Sequence, residues 1–416
     1  MNIFARIGCR IYQKAFRLAL PLLPYRDPEL LSGVTQIVPL LQRLQVRSVL
    51  VVTDWGLREG GCTQPLEQAL RRAGIAAAVY DQTSANPTTR DAEAAKALYR
   101  NRNCQALIAF GGGSPMDCAK TVGALIAYPK KTAWQLRGLL KVRRRLPPLI
   151  AVPTTAGTGS ETTLTAVITD TERRHKCTMN SFALIPRYAV LDAALTRSLP
   201  PQLTATTGMD ALTHAVEAYI GGSTTRQTRE LSLEATALVF ANIRRAYTDG
   251  DDMAARAAML TAAHKAGMAF SRSYVGYIHA VAHSLGGQYN IPHGLANAVL
   301  LPVVLESYAP HADRKLHELA AAAGVCGADI PAAEGARRFI AAIRALNREM
   351  GIPETLPGIR PGDIPQMARH AAREANPLYP VPKLMTAREL EGFYHQIAEK
   401  KGLAAPWAER APSKTA

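Results

Sequence analysis

A chain of 416 residues, 48% hydrophobic and 20% charged, holds enough apolar material for a large core and is long enough for two domains. That balance excludes a chain disordered beyond its ends. The net charge of +16 would suit an anionic partner, but the basic clusters Lys130–Lys131 and Lys141–Arg145 carry neither interleaved aromatics nor a nucleic-acid module, so a solvated surface is expected and a nucleic-acid partner is not.

Residues 1–35 form a basic N-terminal segment. Arg6, Arg10, Lys14 and Arg17 recur at helical spacing on one face, and Ile3, Phe4, Ile7 and Ile11 fall on another. Charges interrupt the apolar run that a secretory signal would need. Such a helix either lies on an anionic membrane through residues 1–25 or docks on its own protein or a partner subunit, and docking is the expectation. No apolar run elsewhere approaches the ~20 residues of a membrane span. Six cysteines without a C-x-x-C pair read as isolated thiols of a reducing compartment, hence a cytoplasmic protein.

Residues 36–200 alternate short apolar runs with helical patterns. "RSVLVVTD" (47–54), "IAAAVYD" (75–81), "QALIAF" (105–110) and "PPLIAVP" (147–153) read as buried strands, with helices over "CTQPLEQALRRAG" and "TRDAEAAKALYRNRN" between them. Alternation of this kind implies a parallel sheet covered on both faces. After "SLPPQLTATTG", where Pro200 and Pro201 punctuate the chain, alanine-rich helical segments dominate from 201 to 416, with a loose tail from 405. The expected fold is α/β plus all-α.

Two loops follow strands of the expected sheet. In "ALIAFGGGSPMDCAK" the strand ends at Phe110, Gly111, Gly112 and Gly113 allow close backbone approach, Ser114 reads as a helix cap and Pro115 as the first helical residue. A helix starting there aims free amides and a positive dipole end at the glycines, which suits a pyrophosphate. "LIAVPTTAGTGSE" adds hydroxyls from Thr154, Thr155, Thr158 and Ser160, with Gly157 and Gly159 for close approach. Together the loops place a crevice at the carboxyl ends of the strands. Asp54 ends its strand either as an acceptor for a ribose diol, favouring NAD over NADP, or as a helix cap.

"GMDALTHAVEAY" sets Asp210 and His214 four apart on one helical face, and "HAVAHSLGGQYNIPH" repeats that spacing with His279 and His283 before His293 follows a turn. One carboxylate with two or three imidazoles suits a divalent first-row ion, Fe²⁺ or Zn²⁺.

"GGGSPMDCAK", "PTTAGTGSE", "GMDALTHAVEAYI" and "HAVAHSLGGQYNIPHGLANAVLLP" resemble, in the same order, the iron-containing alcohol dehydrogenases over about residues 35 to 400. The resemblance implies a dehydroquinate synthase-like architecture: an N-terminal dinucleotide-binding parallel-sheet domain (36–200), then an all-helical metal-binding domain (201–416) with the site in a cleft. It implies Asp210, His214, His279 and His293 as metal ligands, with Fe²⁺ favoured over Zn²⁺, and His283 beside substrate and nicotinamide. Asp54, Asn86, Gly112, Gly113, Ser114, Asp117, Thr154, Thr155, Thr158 and Lys176 match cofactor contacts for NAD. The implied reaction is hydride transfer between a small alcohol or aldehyde and the nicotinamide, in a homo-oligomer. Two other readings remain: a glycerol dehydrogenase- or dehydroquinate synthase-type enzyme, and a membrane-surface protein without catalysis. Arg272, Tyr274 and Tyr277 depart from the family pattern and are expected to line the substrate cleft.

Overall fold

The protein, seen in a computed structural model, is described over residues 3–173 and 175–399; the tail from 405 lies outside the described residues. In chain order, helix α1 (Ile3–Ala19) precedes strand β1 (Glu29–Leu31), α2 (Ile37–Arg43), β2 (Ser48–Val52), α3 (Trp55–Glu59), α4 (Gln64–Arg72), β3 (Ala76–Tyr80), α5 (Thr89–Asn101), β4 (Ala106–Gly111) and α6 (Gly113–Ala127). Next come α7 (Ala133–Leu136), β5 (Gly138–Leu139), β6 (Leu149–Pro153), β7 (Thr165–Asp170), β8 (His175–Asn180) and β9 (Tyr188–Val190). The remaining elements are helices: α8 (Pro201–Ile220), α9 (Arg226–Thr248), α10 (Met253–Ser273), α11 (Tyr277–Tyr289), α12 (His293–Ala322), α13 (Ala332–Glu349), α14 (Ile364–Ala375) and α15 (Ala387–Ile397). None of them is long and apolar enough to cross a membrane.

By compactness the described chain forms two units. One comprises Leu20–Ala215 and Arg226–Arg272; the other comprises the described parts of Met1–Ala19, Val216–Thr225 and Ser273–Ala416. This division differs from a single boundary at 200, since α9 and α10 group with the sheet and α1 groups with the later helices.

The first unit is built on a six-stranded sheet in the order β1-β9-β6-β4-β2-β3, with every pair parallel. Successive side chains of a strand point to opposite faces. Leu50, Val52, Leu107, Ala109, Leu149 and Ala151 therefore join one core, and Val49, Val51, Ile108, Phe110, Ile150 and Val152 join the other. Burial on both faces is why these strands read as continuous apolar runs. The short strands β1 and β9 and a second sheet, β5-β8-β7, were not expected. In that sheet β7 and β8 pair antiparallel. Three residues carry no readable period, and β8, "HKCTMN", is mostly polar.

The second unit is helical. Left-handed Asn290 (φ 55°) ends α11, and the chain turns through Pro292 so that His293 is the first residue of α12. Helix α1 is docked on this unit of its own chain. Cys9 and Gln13 are buried, the Arg10 guanidinium donates to the carbonyls of Val381 (2.7 Å) and Pro382 (2.8 Å), and Gln13 Nε2 donates to Tyr379 O (2.7 Å).

Candidate active site

Strand order reverses between β2 and β4, the switch point at which open α/β sheets bind ligands. Asp54 follows β2 and the glycine loop follows β4. Asp54 caps α3, its Oδ1 accepting from Leu57 N at 2.9 Å. Gly111 has φ +146°, and a Cβ there would meet Pro115 Cγ at 2.6 Å, so only glycine fits. Helix α6 begins at Gly113 with Gly112 as its cap residue. The expected roles of Ser114 as cap and Pro115 as first helical residue are therefore corrected by two positions. The Ser114 hydroxyl instead donates to Ala85 O (2.7 Å), tying the loop that carries exposed Asn86 to the start of α6. The amides of Gly113 and Ser114, in the first turn, have no intrahelical acceptor.

The second loop meets the first. Cβ atoms built at Gly112 and Gly113 would lie 3.4 Å from Thr155 Cγ2 and 3.2 Å from Thr158 Cγ2. Buried Thr154 donates its amide to Gly111 O at 3.1 Å. Gly157 and Gly159 make room for protein rather than ligand, contrary to expectation. Their added Cβ atoms would fall 2.7 Å from Thr207 Cβ of α8 and 2.6 Å from Gly267 Cα of α10. Near the other end of the hairpin, Thr169 N donates to Pro87 O (2.8 Å), and Lys176 pairs across the strands with Thr169, bringing Asn86 and Lys176 to one neighbourhood.

Beneath the loops lies a polar anchor whose lysine the sequence reading did not include and whose aspartate, Asp117, was expected as a cofactor contact. Lys120 is fully buried and its Nζ donates to Ser160 Oγ (3.0 Å), Thr163 O (3.0 Å), Thr163 Oγ1 (2.8 Å) and Thr165 O (2.9 Å). Burial lowers its pKa to about 8. One turn earlier, Asp117 accepts from Val167 N (3.1 Å), and burial raises its carboxyl to about 6.

The helical side is organised by α8. Asp210, His214 and Glu217 stand at i, i+4 and i+7 on one face of this continuous helix, all buried. Glu217 Oε2 accepts from His279 Nδ1 (2.6 Å) and Gly276 N (2.8 Å), and Oε1 accepts from Ile278 N (2.9 Å). Burial pushes this carboxyl up to about 7, against the three donors that favour its charged form. Holding the Nδ1 proton of His279 leaves Nε2 as the lone-pair donor. The imidazole of His214 stacks on Phe270, ring centroids 4.0 Å apart. One donor atom each from Asp210, His214, His279 and His293 lies within 4.8 Å of the others. Ligands on opposite sides of a first-row ion are about 4 Å apart, so these four have the spread of a ligand shell, and one carboxylate with three imidazoles fits such an ion chemically.

His283 stands apart in its partners. Its Nδ1 bonds Glu374 Oε1 of α14 (2.6 Å), and its ring stacks on that of His293 at 5.1 Å. Glu374 also accepts from the Tyr379 hydroxyl (2.8 Å). Neither glutamate was among the sequence candidates. Glu217 had a signal, three residues past His214 on the helical face shared with Asp210; Glu374, 91 residues from its partner, had none.

Arg272, Tyr274 and Tyr277 are committed to structure rather than to a cleft. Arg272 pairs with Asp27 at 2.6 Å, which removes the cation that a phosphorylated substrate would have used. Tyr274 has φ +63° and packs edge-on against Phe16. Tyr277 is fully buried, its hydroxyl donating to Asn376 Oδ1 (2.8 Å) and accepting from Met385 N (2.9 Å).

The comparisons with known proteins give the family of the chain. The sequence profile described as "Iron-containing alcohol dehydrogenase" matches residues 32–193, and "Fe-containing alcohol dehydrogenase family, C-terminal" matches 204–398. Among curated proteins, 1,3-propanediol dehydrogenase of Klebsiella pneumoniae is 37% identical over 85% of this chain and 92% of its own length. Lactaldehyde reductase of Escherichia coli (strain K12) is 36% identical over 80% and 87%. A solved 1,3-propanediol oxidoreductase superposes with a TM-score of 0.86 at 36% identity, covering 90% of this chain and 99% of that one.

Proposed function

Because the chain belongs to the iron-containing alcohol dehydrogenase family, we propose that Asp210, His214, His279 and His293 hold its metal and that His283 serves the substrate beside them. The chain is a metal-dependent, NAD-linked alcohol dehydrogenase or aldehyde reductase. The observation that carries the ligand assignment is the convergence of four donors within 4.8 Å, with Glu217 fixing the tautomer of one of them.

When bound, a divalent ion would supply Lewis-acid polarisation of the substrate oxygen, and a nicotinamide would supply the hydride acceptor or donor. The chain's own groups do the rest. Glu374 accepts the Nδ1 proton of His283, so Nε2 is poised to take the alcohol's proton. The amides of Gly113 and Ser114, at the start of α6, receive the pyrophosphate, with Gly112, Thr154, Thr155 and Thr158 around it. Asp117 and Lys120 brace that loop from below. Asn86 and Lys176 take the outer part of the cofactor. Asp54 keeps Oδ2 for a ribose hydroxyl while Oδ1 caps α3, and its charge repels a 2′-phosphate, which supports NAD over NADP. Fe²⁺ is favoured by family, and Zn²⁺ accepts the same donors. The six unbridged thiols support a cytoplasmic site of action, and a homo-oligomer is the assembly expected from the family.

Metal analysis together with NADH absorbance over a panel of small alcohols and diols tests the reading. His279→Ala should lose both metal and turnover; retained metal with normal turnover would sink the ligand assignment.

A further inference from the structure

Helix α1 buries Cys9 and Gln13 and shows an apolar ridge to solvent. At 100° per residue, Ile3, Phe4, Ile7, Ile11 and Leu18 fall within one arc of about 100°. All five are exposed, Phe4 at 80% and Leu18 at 79%. Arg6 and Arg17 are exposed along one border of that ridge, Lys14 is exposed just inside that border, and residues 3 to 19 include no Asp or Glu. The helix is held in this orientation, since Arg10 and Gln13 bond backbone carbonyls between 377 and 382. A groove of about 460 Å³ runs beside the ridge, lined by Arg6, Arg10, Lys14 and Lys383 together with Ile7 and Ile11. Cations over an apolar floor match the layering of an anionic lipid leaflet, phosphate above acyl chain. A second copy of the chain fits poorly, because an isologous contact would bring two rows of cations together, and Glu389, which interacts with Arg6 and Lys383, is one carboxylate against several cations.

We propose that α1 is a membrane-surface anchor: the apolar ridge enters the acyl boundary of an anionic bilayer, and Arg6, Lys14 and Arg17 meet the lipid phosphates. This goes beyond the dehydrogenase reading and does not depend on it. A single helix face gives reversible attachment, sensitive to salt through its charges.

The test is co-sedimentation of the full chain with vesicles of phosphatidylcholine alone and of phosphatidylcholine with 30–40% phosphatidylserine (roughly the charge density of a strongly anionic leaflet). Binding is expected on the anionic vesicles only, and it should weaken with added salt. Ile7→Asp with Ile11→Asp should abolish it while leaving turnover and thermal unfolding unchanged, as both residues are exposed and neither belongs to the candidate site. Arg6→Gln, Lys14→Gln and Arg17→Gln together should weaken it about 100-fold, at roughly fivefold per charge. Equal sedimentation on both vesicles, none on either, or a change in oligomer mass by light scattering in the double aspartate variant would overturn the proposal. The last result would assign the ridge to a second copy.

Discussion

Glu217→Gln replaces a carboxylate that accepts three hydrogen bonds with an amide that has one oxygen and one NH₂. In the structure Oε2 takes Gly276 N and His279 Nδ1, while Oε1 takes Ile278 N. With the amide oxygen in the Oε2 place, two bonds survive and the NH₂ group faces the Ile278 amide. In the opposite orientation both donors on Oε2 are lost. At least one buried donor is therefore orphaned, at about 1–3 kcal/mol of folding stability. The neutral amide also weakens the hold on the His279 tautomer, and loss of such an orienting partner costs 10- to 100-fold in metal affinity, about 1.4–2.7 kcal/mol. Both effects are separable. Urea unfolding of the metal-free protein reads the first, and anaerobic competition for the metal against a chelator of known affinity reads the second. A Glu217→Gln protein that binds metal within twofold of the parent would refute the argument that this carboxylate sets the donor geometry of His279.

His283→Ala should keep its metal but lose 10²- to 10⁴-fold in turnover, the range for a general acid–base group, with the change confined to kcat; equal loss of metal would make His283 a ligand instead. Lys120→Met should cost about 3–5 kcal/mol, because Asp117 and the carbonyls of Thr163 and Thr165 lose their buried cation. That penalty depends on pH in a defined direction. The folded pKa of Lys120 lies near 8 against 10.5 when exposed, so the unfolded chain binds more protons between those values and the parent gains stability as pH rises through them. At about 1.4 kcal/mol per pKa unit the gain is about 3 kcal/mol. Urea midpoints at pH 8 and pH 10 should therefore move apart between parent and variant; a constant difference would show that Lys120 does not titrate in this window.

The parts of this fold that the sequence revealed are those whose cause is local. Strands β2, β4 and β6 were legible because residues such as Val49 to Val52 are buried on both faces and leave an unbroken apolar run. The pairs Asp210–His214 and His279–His283 were legible because four residues make just over one helical turn. Ser114 was misread because a serine before Pro115 satisfies the local rule for a helix start, whereas its hydroxyl is taken by Ala85 O, 29 residues away. Gly157 and Gly159 were misread because closeness to a helix and closeness to a ligand ask the same thing of a residue. The two faces of α1 were plain in the sequence, but the one that docks was not: it is chosen by carbonyls of residues 377–382, some 370 positions downstream.

Helix α8 places two requirements in one stretch of chain. Asp210 and His214 supply donors, and Glu217 sets the proton on a histidine donated by another helix. A single inserted residue between 214 and 217 would turn one group away from the others by 100°. The eight-residue stretch from 210 to 217 thus works as a ruler as well as a set of side chains: conservative exchanges at its intervening positions leave the spacing intact, while any change of length removes the proposed ligand pair or its orienting carboxylate at one stroke.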